Sequence, residues 1–133
     1  MQYALVPHAG DWREAGVFRD GLEINHPLIC RNVIPHSGTL PGRWGLLDVS
    51  NPNVVVSSLK PTDDGAVALR VYEASGRPAQ GVTIKLQSNV RSAREANLME
   101  DVGADVKSDG NTVRVDLTPF EIKTLRLQLD PLP

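Results

Sequence analysis

The 133-residue chain holds a single cysteine, Cys30. That scarcity excludes an internal disulfide framework and any multi-cysteine zinc or iron–sulfur site. Charge of one sign is also missing: 14 basic against 16 acidic residues leave a net charge of −2. A chain this close to neutral carries no electrostatic footprint for nucleic acid or for an anionic membrane surface. Its apolar runs fall far short of the roughly 18–20 residues that a membrane-spanning helix needs. The opening MQYALVPHAGDW has no basic region and no long apolar stretch, so it does not read as a secretory signal. With the lone cysteine, this gives the expectation of a cytoplasmic protein. Aromatics are scarce as well, at 5% of the chain.

What the chain has in quantity is β-branched residues: 15 Val, 5 Ile and 6 Thr. Stiff at χ1, they suit a pleated surface more than a helix. Most of the 11 Gly and 10 Pro fall between apolar runs, where turns belong. One helix is expected, over residues 11–24. Asp11 can accept from a first-turn amide and Glu14 follows it at the capping-box spacing. Trp12, Ala15, Phe18 and Leu22 then recur at helical intervals. Gly16 weakens the helix, and Pro27 forces Asn25 and His26 out of it.

Beyond Pro27 the signals are those of strands. Candidates are Leu28–Val33, Gly45–Ser50, Asn53–Lys60, Ala66–Ala74, Gly81–Ser88, Thr112–Leu117 and Glu121–Leu129. Residues 34–45, with two Pro and three Gly, read as a loop. Ser92–Asp101 is ambiguous between helix and strand, and Ser108–Asn111 is the clearest hairpin turn. Val67, Leu69 and Val71 alternate with Ala68, Arg70 and Tyr72, the pattern of a half-buried strand. Turn signals every 8–12 residues predict an all-β fold, an antiparallel sandwich of eight or nine strands with one N-terminal helix. No repeat, low-complexity stretch or linker interrupts the sequence, so residues 1–133 read as one domain.

Chemistry is sparse. His8, His26 and His36 lie 18 and 10 residues apart, without the close spacing of a local metal motif. Cys30, inside the expected strand 28–33, reads as a buried inert thiol. No nucleophile elbow or phosphate-cradling loop occurs. Paired carboxylates would suit a glycosidase. However, Asp63-Asp64 falls in a turn that already explains it, and Asp11 and Glu14 are explained by helix capping. Trp12 has helical apolar partners. Trp44, in a Gly/Pro loop, is the better candidate for an aromatic platform under a sugar ring.

Several strings nevertheless stand in a telling order: Tyr3-Ala4-Leu5-Val6-Pro7-His8-Ala9-Gly10-Asp11-Trp12, Asn25-His26-Pro27-Leu28, Leu69-Arg70-Val71-Tyr72-Glu73, Asn97-Leu98-Met99-Glu100, and Pro119-Phe120-Glu121-Ile122-Lys123-Thr124-Leu125. From residue 3 to about 129 the chain resembles the C-terminal β-sandwich of family 38 glycoside hydrolases, the α-mannosidases. It departs from that pattern at Lys60-Pro61-Thr62-Asp63-Asp64, where the family usually has Lys-x-Ala/Ser-Glu-Asp.

The resemblance implies a parent enzyme that hydrolyses α-mannosidic bonds with retention and uses a bound zinc ion. Its zinc ligands and nucleophile would belong to an N-terminal domain, and no position here matches those motifs. The chain itself is then implied to be a non-catalytic C-terminal domain. Its partners would be the catalytic domain of the same polypeptide and mannose-containing carbohydrate. His8, Asp11, Trp12, Asn25, His26, His36 and Trp44 are the candidate interdomain or sugar contacts. A free-standing carbohydrate-binding module and a β-sandwich interaction domain are the alternatives.

Overall fold

In a computed structural model, the structure describes residues 3–39 and 41–131. The chain divides into two compact units, Met1–Leu40 and Pro41–Pro133. Each is taken in turn.

In the first unit the Asp11 carboxylate caps a helix as its sequence context suggests, its Oδ1 accepting from the amides of Arg13 (2.8 Å) and Glu14 (2.9 Å). The helix does not run on to residue 24 as expected. It splits into α1 (Trp12–Ala15) and α2 (Val17–Asn25). Gly16 sits between them at φ +69°, in the left-handed region. With no Cβ to clash there, the glycine ends one helix and starts the next. Neither helix buries a residue, so the apolar stripe of Phe18 and Leu22 is only half-covered. His26 closes α2, its amide donating to the Leu22 carbonyl at 2.8 Å.

The expected strand at 28–33 is absent, and residues 27–38 have no regular structure. Pro27 and Pro35 bracket the segment and withhold two amide donors. No other described segment pairs with it, and a strand without a neighbour leaves its backbone groups to water. Leu28 and Ile29 are consequently more than 90% exposed. Cys30 is exposed too, which overturns its reading as a buried thiol.

The second unit is the β-sandwich. Its strands are β1 (Leu47–Val49), β2 (Val54–Pro61), β3 (Val67–Glu73), β4 (Ala79–Leu86), β5 (Val90–Ala96), β6 (Val102–Asp105), β7 (Ser108–Asp109), β8 (Thr112–Leu117) and β9 (Ile122–Leu129). They form a four-stranded sheet, β1-β4-β8-β7, and a five-stranded sheet, β2-β3-β9-β5-β6. Every pairing is antiparallel. The inner faces meet through Leu69 and Val71 of β3 and Leu125 and Leu127 of β9, against Val82 and Ile84 of β4 and Val113 and Val115 of β8. Leu69, Ile84, Leu125 and Leu127 are fully buried, each contributing about 2–3 kcal/mol by transfer from water. The alternation is strict in β8, where one face is core and the other solvent, whereas β3 and β9 also bury Ala68 and Thr124 on the opposite face.

A buried carboxylate ties two turns together at one end. Glu73, 1% exposed, ends β3 and accepts from the amides of Ser75 (2.8 Å), Gly76 (2.7 Å), Arg77 (3.2 Å) and Phe120 (3.1 Å), and from the Ser75 hydroxyl. Burial alone would raise its pKa, but the donors from Ser75, Phe120 and Gly76 outweigh that and hold it below the usual glutamate range. Phe120, at φ +59°, lays its ring against Gly76. A Cβ on Gly76 would come within 2.6 Å of Phe120 Cε2, so glycine there serves both the positive φ and the close approach.

Candidate functional site

Six of the seven residues singled out from sequence lie in the first unit. Asp11 is spent on the α1 cap. Trp12 opens α1, 36% exposed, with the Arg13 guanidinium 4.3 Å from its ring centroid, a cation–π stack on a surface aromatic. Asn25 turns back along α2, its Nδ2 donating to the Gly21 carbonyl at 2.7 Å. His8 lies 3.4 Å from the Ala9 carbonyl and His36 lies 3.0 Å from the Ser37 carbonyl, both through Nδ1. Each histidine is exposed. Among the described residues no side-chain hydrogen bond joins His8, His26 or His36 to another of the seven, so they do not form a constellation.

Trp44 lies in the second unit, 52% exposed, in the segment that leads into β1. It borders an open recess of about 710 Å³ with Arg43, Asp48, Lys85, Gln87 and Asn111. Strand register sets Asp48 directly across from Lys85. Gln87 is held by its Nε2 on the Gly45 carbonyl and Asn111 by its Nδ2 on the Leu86 carbonyl, both at 2.7 Å. One aromatic face beside several fixed amides and charges is the chemistry that recognises a polar ring: stacking for its apolar face, hydrogen bonds for its hydroxyls.

A second feature escapes sequence reading. On the outer face of the five-stranded sheet, charged residues from distant strings converge. The Arg70 guanidinium of β3 donates to Thr124 Oγ1 of β9 (3.0 Å) and to the Leu98 carbonyl (3.1 Å). Lys60 of β2 pairs with Glu100 at 2.6 Å, and Arg126 of β9 pairs with Asp64. The Thr62 hydroxyl donates to Asp64 at 2.6 Å. With the Arg126 contact, it holds the Asp64 carboxyl down at about 2. On the opposite face, in the row of β9 that carries Leu125, Lys123 bridges Glu95 (2.9 Å) and Glu121 (3.2 Å). Burial alone would lower the Lys123 ammonium's pKa, yet those two partners raise it. The Arg70 and Lys60 contacts draw the β5–β6 turn across the outer face, and Thr124 is buried there. The only signal for this in sequence is the order of the strings, because the pairing spans up to 62 residues.

The zinc ion implied by the resemblance finds no fit here. Among the described residues no three His, Cys, Asp or Glu side chains are grouped to hold a metal. No helix among them is long and apolar enough to cross a membrane.

Residues 53–125 match the family described as glycosyl hydrolases family 38 C-terminal beta sandwich domain. That span runs from the start of β2 into β9 and lies inside the second unit. Over 138 residues the chain is 30% identical to alpha-mannosidase 2C1 of Homo sapiens and to its Mus musculus counterpart, covering 98% of this chain and 13% of each of those proteins. It is 27% identical over 131 residues to alpha-mannosidase G of Dictyostelium discoideum, covering 93% of this chain and 12% of that protein.

Proposed function

Because the chain belongs to the C-terminal β-sandwich domains of family 38 glycosyl hydrolases, we propose that it serves as the non-catalytic end of a longer α-mannosidase. In this reading it supports a catalytic domain elsewhere in the same polypeptide, and that domain holds the zinc ion and the nucleophile. One observation carries the reading: the match takes in 98% of this chain but only 13% of the mannosidases it resembles.

The test is the size of the native polypeptide, by immunoblot of source cells with an antibody against this chain. A band many times 14.5 kDa is expected. A band near 14.5 kDa would overturn the reading.

A second reading, carbohydrate contact at the Trp44 recess, is favoured by that residue's half-exposed ring among Arg43, Lys85, Gln87 and Asn111. Titrating the chain with mannose and short mannosides should change tryptophan fluorescence saturably. The change should vanish in Trp44→Phe and survive in Trp12→Phe. An unresponsive spectrum would reject sugar contact and leave the domain assignment intact.

A further inference from the structure

The β5–β6 turn, Asn97–Asp101, is held at seven of its ten backbone groups. Asn97 Oδ1 accepts from the amides of Met99 (2.8 Å) and Asp101 (3.0 Å), and Asn97 Nδ2 donates to Asp101 Oδ2 (2.9 Å). The Asn97 amide reaches the Asp101 carbonyl (3.1 Å), and the Glu100 amide reaches the Asn97 carbonyl (3.0 Å). Glu100 takes φ +70° to close it. Arg70 and Lys60 then clamp it from the sheet. Its apolar side chains face solvent: Leu98 is 63% exposed, Met99 82%, and the neighbouring Val102 41%.

We propose that this turn is an interdomain anchor, with Leu98 and Met99 seating in an apolar pocket of the catalytic part of the same longer polypeptide. The inference rests on the domain reading above and names the surface it would use. Preorganisation is the argument. Apolar side chains already locked outward lose little freedom on docking, and a flexible thioether fits an irregular pocket well. The occupant follows from the length of the relatives, since the matched region is only 13% of them. Charge defines its chemistry. Around the recess beside the turn stand Asp63, Asp64, Glu100 and Asp101 against Lys60 and Arg126, so the facing pocket should be apolar and rimmed by Lys or Arg. One turn is too small for a stable interface of roughly 1,000 Å² or more. It is therefore an anchor within a larger contact.

Methionine oxidation tests this in the full-length polypeptide. Hydrogen peroxide converts Met99 to its sulfoxide at a rate set by exposure, and mass spectrometry reads the rate in native and in guanidinium-unfolded protein. Docking should slow native oxidation about tenfold or more, whereas an uncovered side chain should oxidise within about twofold of the unfolded rate. In a Met99→Glu variant, limited proteolysis should release the C-terminal domain several times faster while its circular dichroism is unchanged. Oxidation at the unfolded rate, or unaltered proteolysis of the variant, overturns the anchor and leaves the domain reading standing. Protection that grows with protein concentration assigns the turn to a second copy and also overturns it. A native polypeptide of only 14.5 kDa overturns both, and the immunoblot shows that separately.

Discussion

Removing the Glu73 carboxylate should unfasten one end of the sandwich. In Glu73→Ala, five donors lose their shared acceptor. The amides of Gly76, Arg77 and Phe120 are only part-buried, so water can reach them in compensation. The amide and hydroxyl of Ser75 are buried, and losing a charged acceptor there costs about 1–3 kcal/mol for each. The contributions share one carboxylate and do not simply add. We therefore expect a loss of about 3–5 kcal/mol, a large part of a typical domain's roughly 5–15 kcal/mol. Glu73→Gln keeps the shape and one acceptor but turns an NH₂ toward N–H donors, so it should lose about 2–3 kcal/mol. Urea unfolding at pH 7 measures both. The midpoint should fall with the slope unchanged, since the surface exposed on unfolding is the same.

The sign of the pH dependence follows from the lowered folded-state pKa. Stability from Glu73 is complete above the unfolded value of about 4.3 and is lost as pH falls through the folded one. Glu73→Gln should lack that component of acid destabilisation. A loss below about 1 kcal/mol in Glu73→Ala would mean that water replaces the carboxylate freely, and the reasoning would fail.

Three further outcomes are expected. Gly76→Ala should cost about 1–3 kcal/mol by urea unfolding, because Cβ meets the Phe120 ring at a backbone angle unfavourable to alanine; a neutral effect would refute both the clash and the backbone cost. In NMR titration the Asp64 carboxyl should titrate near 2, its stabilisation complete above the unfolded aspartate value of about 3.9 and lost as pH falls from there through the folded value. Thr62→Ala should raise that midpoint, and an unshifted midpoint would deny the hydroxyl its part. Lys60→Met should cost no more than about 1 kcal/mol, since the Lys60 side chain is 55% exposed and such pairs are screened; a larger loss would show that the clamp on the β5–β6 turn matters to the whole sheet.

Strands whose one face is core were legible residue by residue. The expected Thr112–Leu117 is β8 to the residue, and Ala66–Ala74 and Glu121–Leu129 enclose β3 and β9, because period-two burial writes itself into composition. Elements held by other forces were not. β6 reads Val-Gly-Ala-Asp with all four residues exposed, so there was no alternation to see; it exists through pairing with β5. Ser108-Asp109 looked like turn and is β7, paired to β8. The apolar run at 28–33 had a strand's composition but no neighbour to pair with. Gly16's left-handed backbone, not its low helix propensity, decided that one helix became two. Of the candidate site, Trp44 was legible as an aromatic in a Gly/Pro loop. Its surrounding recess, and the outer-face network of Lys60, Arg70, Glu100 and Arg126, depend on contacts between residues dozens of positions apart.

The place of β9 has a consequence for how the domain comes into being. It sits in the middle of the five-stranded sheet, between β3 and β5, and carries Leu125 and Leu127 of the core. A nascent chain that has emerged only as far as Leu117 holds every other strand yet has nothing to bridge β3 to β5. Vectorial synthesis must therefore deliver the keystone after all the stones around it. Until it arrives, two strand edges and the floor of the core stay open to water and to neighbouring chains. Loop-closure entropy is met late, in pairings such as Val67 with Leu127, and folding should be slow and all-or-none rather than stepwise along the ribosome.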